Sequence, residues 1–521
     1  MTAHTHGVIV FGVEGHVIDV EVHVSAGLVG TTIVGLPDTA VAESRDRARA
    51  AILNSGCSWP DAKITVGLSP ASLHKRGPTL DVAIALAILA ESGQVPSAAI
   101  ADIVCVGELG LDGRVRPMTG TVVAALGAAR AGMRTIVVPR ANVQEAELIP
   151  GLTVVGISSL SQLIAYVRGE PWIEVADDAA VNPHKPAPVD SVAELLPTVQ
   201  LQRDLCDVRG QAIARRGLEV AAAGGHHLAM IGAPGVGKTL LAERLPDLLP
   251  TLDSTAALEV TAIHSVAGRL GAVSGLLTRA PFEAPHHTAS YAAMVGGGGG
   301  SPRAGLVSLA HRGVLFLDEA PEFNVRVLDA LRQPLESGVI TIARAGYSVR
   351  FPARFQLVLA SNPCPCGHAT SEAVACRCSP IVRSKYAQRL SGPLNDRMDV
   401  RLVLDRPSRA ELMCDEPETT QVVAERVLAA RQRMASRLAN TPWTVNASVP
   451  GEYVRREWPL EAAATQALAA ALDAGVLSAR GADRAVKVAW TLADLAGRNA
   501  PVAADVYEAV SLRDGGGRWP A

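Results

Sequence analysis

Gly232-Ala-Pro-Gly-Val-Gly-Lys238-Thr239 spells a complete G-x-x-x-x-G-K-[ST] loop, and its flanks put it where such a loop works. His227-Leu-Ala-Met-Ile231 before it reads as a buried strand, and Leu240-Leu-Ala-Glu-Arg-Leu245 after it reads as a helix. The loop positions Gly232, Pro234, Gly235, Val236 and Gly237 are expected to bind the cofactor: the glycines let successive backbone N–H groups turn inward on a phosphate, and the following helix aims its positive end at the same charge. Lys238 reaches for the β/γ-phosphates, and the Thr239 hydroxyl for Mg²⁺. The stretch therefore predicts a nucleoside triphosphate, ATP, bound with Mg²⁺ at the end of a parallel-sheet strand.

About 75 residues downstream, Gly313-Val-Leu-Phe-Leu-Asp318-Glu319 reads as a second core strand that delivers two acids at its C-terminal edge, where ligands bind in such sheets. Asp318 is suited to hold Mg²⁺ and Glu319 to polarise the attacking water. Gln356-Leu-Val-Leu-Ala-Ser-Asn362 reads as a third strand ending in an amide placed for the γ-phosphate or the lytic water. Arg397, in Ser391-Gly-Pro-Leu-Asn-Asp-Arg-Met-Asp399, suits a finger projected into a neighbour's site, which makes a ring the expected assembly. The core so marked covers residues 198–405, entered through a helix at Ala212–Ala223.

Composition frames the rest. The 521 residues accommodate about three domains at roughly 150 residues each. Aromatics make up 3%, so the cores must be Ala/Val/Leu-rich, and a net charge of −3 offers no global field for nucleic acid, only local patches. No apolar run reaches the ~18 residues of a membrane span, and the N-terminus lacks a signal-peptide pattern. A cytoplasmic chain with no membrane partner is expected.

Residues 1–170 read as an α+β domain, with strands at Gly7–Val13, His16–Val24, Lys63–Gly67, Ile103–Leu109 and Thr135–Val138. Helices are expected at Thr39–Asn54, Thr79–Leu89 and Thr121–Ala131. Lys75-Arg-Gly-Pro-Thr-Leu-Asp81 and Gly107-Glu-Leu-Gly-Leu-Asp-Gly-Arg-Val-Arg-Pro117 resemble the Lon protease domain. Thr79 stands where the resemblance places the catalytic Ser, and no lysine follows Pro117 within the domain, so no Ser–Lys dyad is available. A scaffold or adaptor role is expected. Residues 171–197 are proline-rich and read as a linker.

Two insertions interrupt the core. Ala284-Pro-His286-His287-Thr-Ala-Ser-Tyr-Ala-Ala-Met-Val-Gly296, running into Gly296–Gly300, is expected to be patternless and flexible. Val339–Phe351 reads as a hairpin with Ala345-Gly346 at its tip, carrying Arg344, Tyr347 and Arg350. Nine Lys/Arg stand against three Asp/Glu between Arg344 and Arg401. The hairpin fits either a loop tracking a DNA backbone or a solvated edge hairpin. Cys364, Cys366, Cys376 and Cys378 form two C-x-C pairs, open to a structural Zn²⁺, to free thiols or to disulfides. Residues 406–521 read as a helical lid with helices at Thr419–Leu438, Leu460–Ala474, Ser478–Leu495 and Pro501–Leu512. Arg480, ahead of Arg484, is the arginine expected to answer nucleotide phosphates.

With these motifs in order, the chain resembles the ComM/YifB family of Mg-chelatase-like AAA+ ATPases. The carrying residues are Gly224-Gly-His-His-Leu, the phosphate loop, Ala284-Pro-His-His-Thr-Ala-Ser, Ala310-His-Arg-Gly-Val-Leu-Phe-Leu-Asp-Glu, Asn362-Pro-Cys-Pro-Cys-Gly and Ser391-Gly-Pro-Leu-Asn-Asp-Arg. The resemblance implies a Lon-protease-like N-terminal domain, an AAA+ core and a C-terminal helical domain. It also implies a ring-forming, hexameric DNA motor that drives branch migration during natural transformation. It gives Asn362 the part of sensor, Arg397 that of trans finger and Arg480 that of lid arginine. A protein-remodelling factor and a Mg-chelatase motor subunit are the alternatives.

Overall fold

The computed structural model describes residues 2–171, 203–271, 275–298, 302–344, 347–369, 375–390, 392–414 and 416–515. The linker expected at 171–197, Gly299-Gly300 and the hairpin tip Ala345-Gly346 lie outside the described residues, the linker all but its first position; so do the side chains of Arg344 and Tyr347.

Five parallel strands form the core sheet, in the spatial order Phe282–Glu283, Val314–Leu317, Gln356–Ser361, Leu228–Gly232, Val400–Leu404. Counted along the chain that is 2-3-4-1-5. Three of the strands are buried along their whole length, because helices cover both faces, and this is why they read as unbroken apolar runs rather than alternating ones. The order sets the phosphate-loop strand between the strand ending at Asn362 and the strand that follows Arg397.

The N-terminal domain is a seven-stranded mixed sheet, ordered Gly30–Val34, Lys63–Ser69, Glu14–Ser25, Ala3–Phe11, Ile103–Cys105, Thr135–Pro139, Thr153–Ile157. Period-two alternation sends Ile9 into a layer shared with helices Ser44–Asn54 and Asp81–Glu91, and Val8 into one shared with helix Thr121–Arg130. The helix expected at Thr39–Asn54 is broken at Glu43 into Thr39–Ala42 and Ser44–Asn54. Thr79 donates its hydroxyl to Val8 O (3.2 Å), and the buried Lys75 donates to Pro70 O, so neither is paired as a nucleophile with its base.

This domain is docked on the core at two places. Ser265, in the last turn of helix Ser254–Val266, accepts from Val122 N (3.3 Å), donates to Glu145 (2.8 Å) and offers its carbonyl to Gly120 N (3.0 Å). Phe11 and Val13 pack against the apolar base of the hairpin Val339–Arg344/Tyr347–Pro352, which includes Val349 and Phe351. Between the strands, the expected patternless insertion contains a short helix, Tyr291–Val295, capped by Ser290, and a small pairing of Gly296-Gly297 with Arg303-Ala304.

Helices Thr420–Leu438, Ala462–Asp473, Ala479–Leu495 and Ala503–Asp514 make the C-terminal bundle. Ser478 caps the third as expected, whereas Pro501 stands before Val502, the N-cap of the fourth, and so outside its first turn. Leu402, Leu404, Leu218, Val427, Leu492 and Leu512 share one apolar core, so bundle and sheet are a single packed unit. Helix Ala479–Leu495 lies along helix Ala212–Gly224 and meets the N-terminal edge of the sheet rather than closing over the phosphate loop.

Candidate nucleotide site

The C-terminal edge of the sheet gathers the phosphate-loop motif and the acids. Lys238 Nζ donates to Gly232 O (2.7 Å), Ala233 O (3.1 Å) and Asn362 Oδ1 (3.0 Å). Burial lowers its pKa, and the nearby Asp318 and Glu319 oppose that shift. Thr239 Oγ1 donates to Asp318 Oδ2 (2.7 Å), which brings together the two oxygens expected on Mg²⁺. Gly235 and Gly237 take φ of +78° and +98°, and a Cβ built on either meets nothing within 4 Å, so the mouth of the loop is open. An ammonium group between an amide and two carbonyls, under an open cradle of N–H groups, fits a polyphosphate. The hydroxyl–carboxylate pair fits the divalent ion that accompanies it.

Glu319 sits beside this pair at φ +50°, a left-handed backbone that a non-glycine residue takes only where its surroundings impose it. Its N–H donates to Asp318 Oδ1 (2.9 Å), and its carboxylate lies 3.5 Å from His287 Nδ1. The rings of His287 and His286 are 4.1 Å apart. Sequence reasoning quoted this His pair without giving it a role. It follows the strand Phe282–Glu283, and two residues are too few to show a strand pattern, so the arrival of His287 at the acid was hidden.

Arg397 is elsewhere. Asp399 N and Val400 N both donate to His227 O (3.0 and 3.1 Å), which fixes Arg397 at the N-terminal edge of the sheet. The strand Leu228–Gly232 separates that edge from Lys238, a length of ~16 Å at about 3.3 Å per residue. Arg397 pairs with Glu336, Arg332 with Asp329 (2.7 Å), and Arg484 with Asp399 and Arg397 O. Burial, then the neighbouring Arg484, Arg332 and Arg480, lower the Arg397 pKa. Arg480 thus belongs to this group of arginines and is exposed there, away from the phosphate loop of its own chain. Asp399 is buried, which works against its charge, but Arg484 and the His226 hydrogen bond (3.1 Å) outweigh burial and hold its pKa far below the carboxylate range.

The four cysteines converge. Cys364, Cys366 and Cys376 sulfurs lie 3.3, 3.7 and 3.6 Å apart, and one sulfur from each of the four is within 4.8 Å of the others. These separations exceed the ~2.05 Å of a disulfide. They approach the ~3.8 Å edge of a tetrahedron built on Zn–S bonds of ~2.3 Å. Backbone N–H groups of His368 and Arg377 hold the Cys366 thiol down at about 6. On the hairpin, Ile340, Ile342, Val349 and Phe351 turn inward while Arg350 stays exposed, so the element is anchored by one face and cationic on the other.

Sheet order, phosphate loop and paired acids define a P-loop ATPase module of the AAA+ type with a helical C-terminal domain. Three family models match in tandem: Subunit ChlI of Mg-chelatase over residues 20–142, Magnesium chelatase, subunit ChlI over 204–412, and Magnesium chelatase, subunit ChlI C-terminal over 417–513. An uncharacterized protein of Mycobacterium tuberculosis is 46% identical over 98% of both chains. The uncharacterized protein YifB of Escherichia coli is 42% identical, and the competence protein ComM of Haemophilus influenzae 38%, each over 96% of this chain and 95% of its own. A Lon protease of Trichlorobacter lovleyi is 31% identical over 145 residues, 26% of this chain and 18% of that one. The chain belongs to the ComM/YifB family of Mg-chelatase-like AAA+ proteins, a family that uses ATP and Mg²⁺. Among the described residues no helix is long and apolar enough to cross a membrane.

Proposed function

We propose that this chain is the subunit of an ATP-driven ring, a hexamer, that moves DNA strands and promotes branch migration of recombination intermediates. The observation that carries the ring is the strand-length gap between Lys238 and Arg397. A transition state needs both charges within hydrogen-bond reach, and one chain holds them at opposite edges of its sheet. A second copy closes the gap by presenting its N-terminal edge, Arg397 with Arg480 beside it, to the first copy's phosphate loop. Bound Mg·ATP supplies the phosphoryl group and neutralises its charge. Lys238 and the loop amides bind it, Thr239 and Asp318 hold the ion, Glu319 polarises the water, and Asn362 fixes Lys238 against the γ-position. His287 restrains the Glu319 carboxylate between turnovers. The similarity to a competence protein and the exposed Arg350 on an anchored hairpin support DNA as the substrate.

Branch migration on a three-stranded synthetic junction tests this. Wild type should convert it with ATP, and Glu319→Gln should lose about 10²–10⁴-fold in rate. Arg344→Ala/Arg350→Ala should keep basal turnover and lose stimulation by DNA. Stimulation by unfolded protein and not by junctions would instead favour a remodelling factor served by the N-terminal domain. We further infer that the four thiolates hold Zn²⁺, on the strength of their convergence within 4.8 Å, with three of the sulfurs 3.3, 3.6 and 3.7 Å apart.

A further inference from the structure

The cysteine turn is seated on the nucleotide site. The strand Gln356–Ser361 delivers Asn362, whose amide oxygen accepts from Lys238 (3.0 Å), and Cys364 follows two residues later, buried. Gly367 N donates to Cys364 O (2.9 Å) and closes the turn. Gly367 takes φ +78°, and a Cβ there would lie 2.5 Å from Cδ and 2.8 Å from Cγ of Pro234, inside the phosphate loop. One short turn therefore touches the loop at Pro234 and its lysine through Asn362, while its sulfurs face one another.

That cluster cannot be a neutral bystander. Four sulfurs lie within 4.8 Å of one another, close enough for a single cation to bind them all, and backbone N–H groups of His368 and Arg377 already favour the Cys366 thiolate that such a cation needs. From this geometry we propose that the zinc ion on Cys364, Cys366, Cys376 and Cys378 is a strut of the nucleotide site. It locks the turn that braces Pro234 and Asn362, so that metal occupancy sets nucleotide affinity. The proposal rests on the zinc reading above and adds the coupling to it. Because such coupling is reciprocal, bound nucleotide must tighten zinc retention by the same factor that zinc tightens nucleotide.

The test uses the full-length chain. Elemental analysis should find one zinc per chain, and Co²⁺ exchanged into the site should give the absorption of tetrahedral thiolate coordination. Stripping with a zinc-selective chelator should weaken ADP binding, read by calorimetry, by about 5- to 150-fold, the usual span of coupling between linked sites. Adding zinc back should restore it, and saturating ADP should slow zinc loss. Gly367→Ala leaves all four thiolates in place and separates the two claims: it should keep its zinc yet lose nucleotide affinity. Stoichiometric zinc with ADP affinity unchanged by stripping and by Gly367→Ala would overturn the strut and leave the zinc reading standing. A chain that binds neither zinc nor cobalt would sink both.

Discussion

The two edges of the core sheet carry complementary halves of one reaction. At the C-terminal edge, Asp318 and Glu319 stand near Lys238, with open space over Gly235 and Gly237 of the phosphate loop. At the N-terminal edge, Arg332, Arg397, Arg480 and Arg484 crowd around Asp329, Glu336 and Asp399. A fold that delivers loops to both ends of parallel strands can build the binding half at one end and the charge-stabilising half at the other, but it cannot make them meet. The strand length between them is what turns a monomer's chemistry into an assembly's.

The largest expected effect sharpens that contrast. Arg397→Ala should cut kcat by about 10³–10⁵-fold with nucleotide affinity nearly unchanged. Lys238→Ala should abolish nucleotide binding itself, as seen by calorimetry. Equal loss of affinity in both would erase the distinction between the edges. A second prediction concerns the arginine edge as a structure in its own right. Arg484→Met removes the charged hydrogen-bond partner of the buried Asp399, leaves the His226 hydrogen bond, and should destabilise the chain by about 3–5 kcal/mol in denaturant unfolding. Arg480→Met, at an exposed position, should change stability by less than about 0.5 kcal/mol and show its effect in turnover instead. The smallest effect belongs to the acid edge. His287→Ala frees the Glu319 carboxylate and should raise basal ATPase about two- to fivefold, the worth of a partly exposed polar contact. His287→Asn should restore part of the restraint, and a fall in basal turnover in His287→Ala would make His287 a helper of Glu319 instead.

The phosphate-loop edge was legible because each of its residues is announced by local pattern. Apolar runs of four to six residues that end in Gly232, Asp318 or Asn362 can only be buried strands delivering those groups to one edge. The arginine edge was half legible. Arg397 was named from its motif, but nothing local says that helix Ala479–Leu495 swings Arg480 to the same edge, because that depends on packing between elements far apart in sequence. His287 was missed for the opposite reason, its strand being too short to leave a period. The cysteine spacing left three chemistries open, and only the folded sulfur separations set disulfides aside. The break at Glu43 leaves no mark in the hydrophobic period, and the second helix begins there without a side-chain cap.

The split pocket is tested most directly by mixing two inactive proteins. Lys238→Ala subunits carry an intact Arg397, and Arg397→Ala subunits carry an intact phosphate loop. In mixed rings an Arg397→Ala loop that faces a Lys238→Ala neighbour has every group it needs. ATPase activity should therefore reappear on mixing and peak near equal proportions. If the mixture stays as inactive as its parts while the Lys238→Ala and Arg397→Ala subunits demonstrably co-assemble, the pocket is not shared between chains and the account fails.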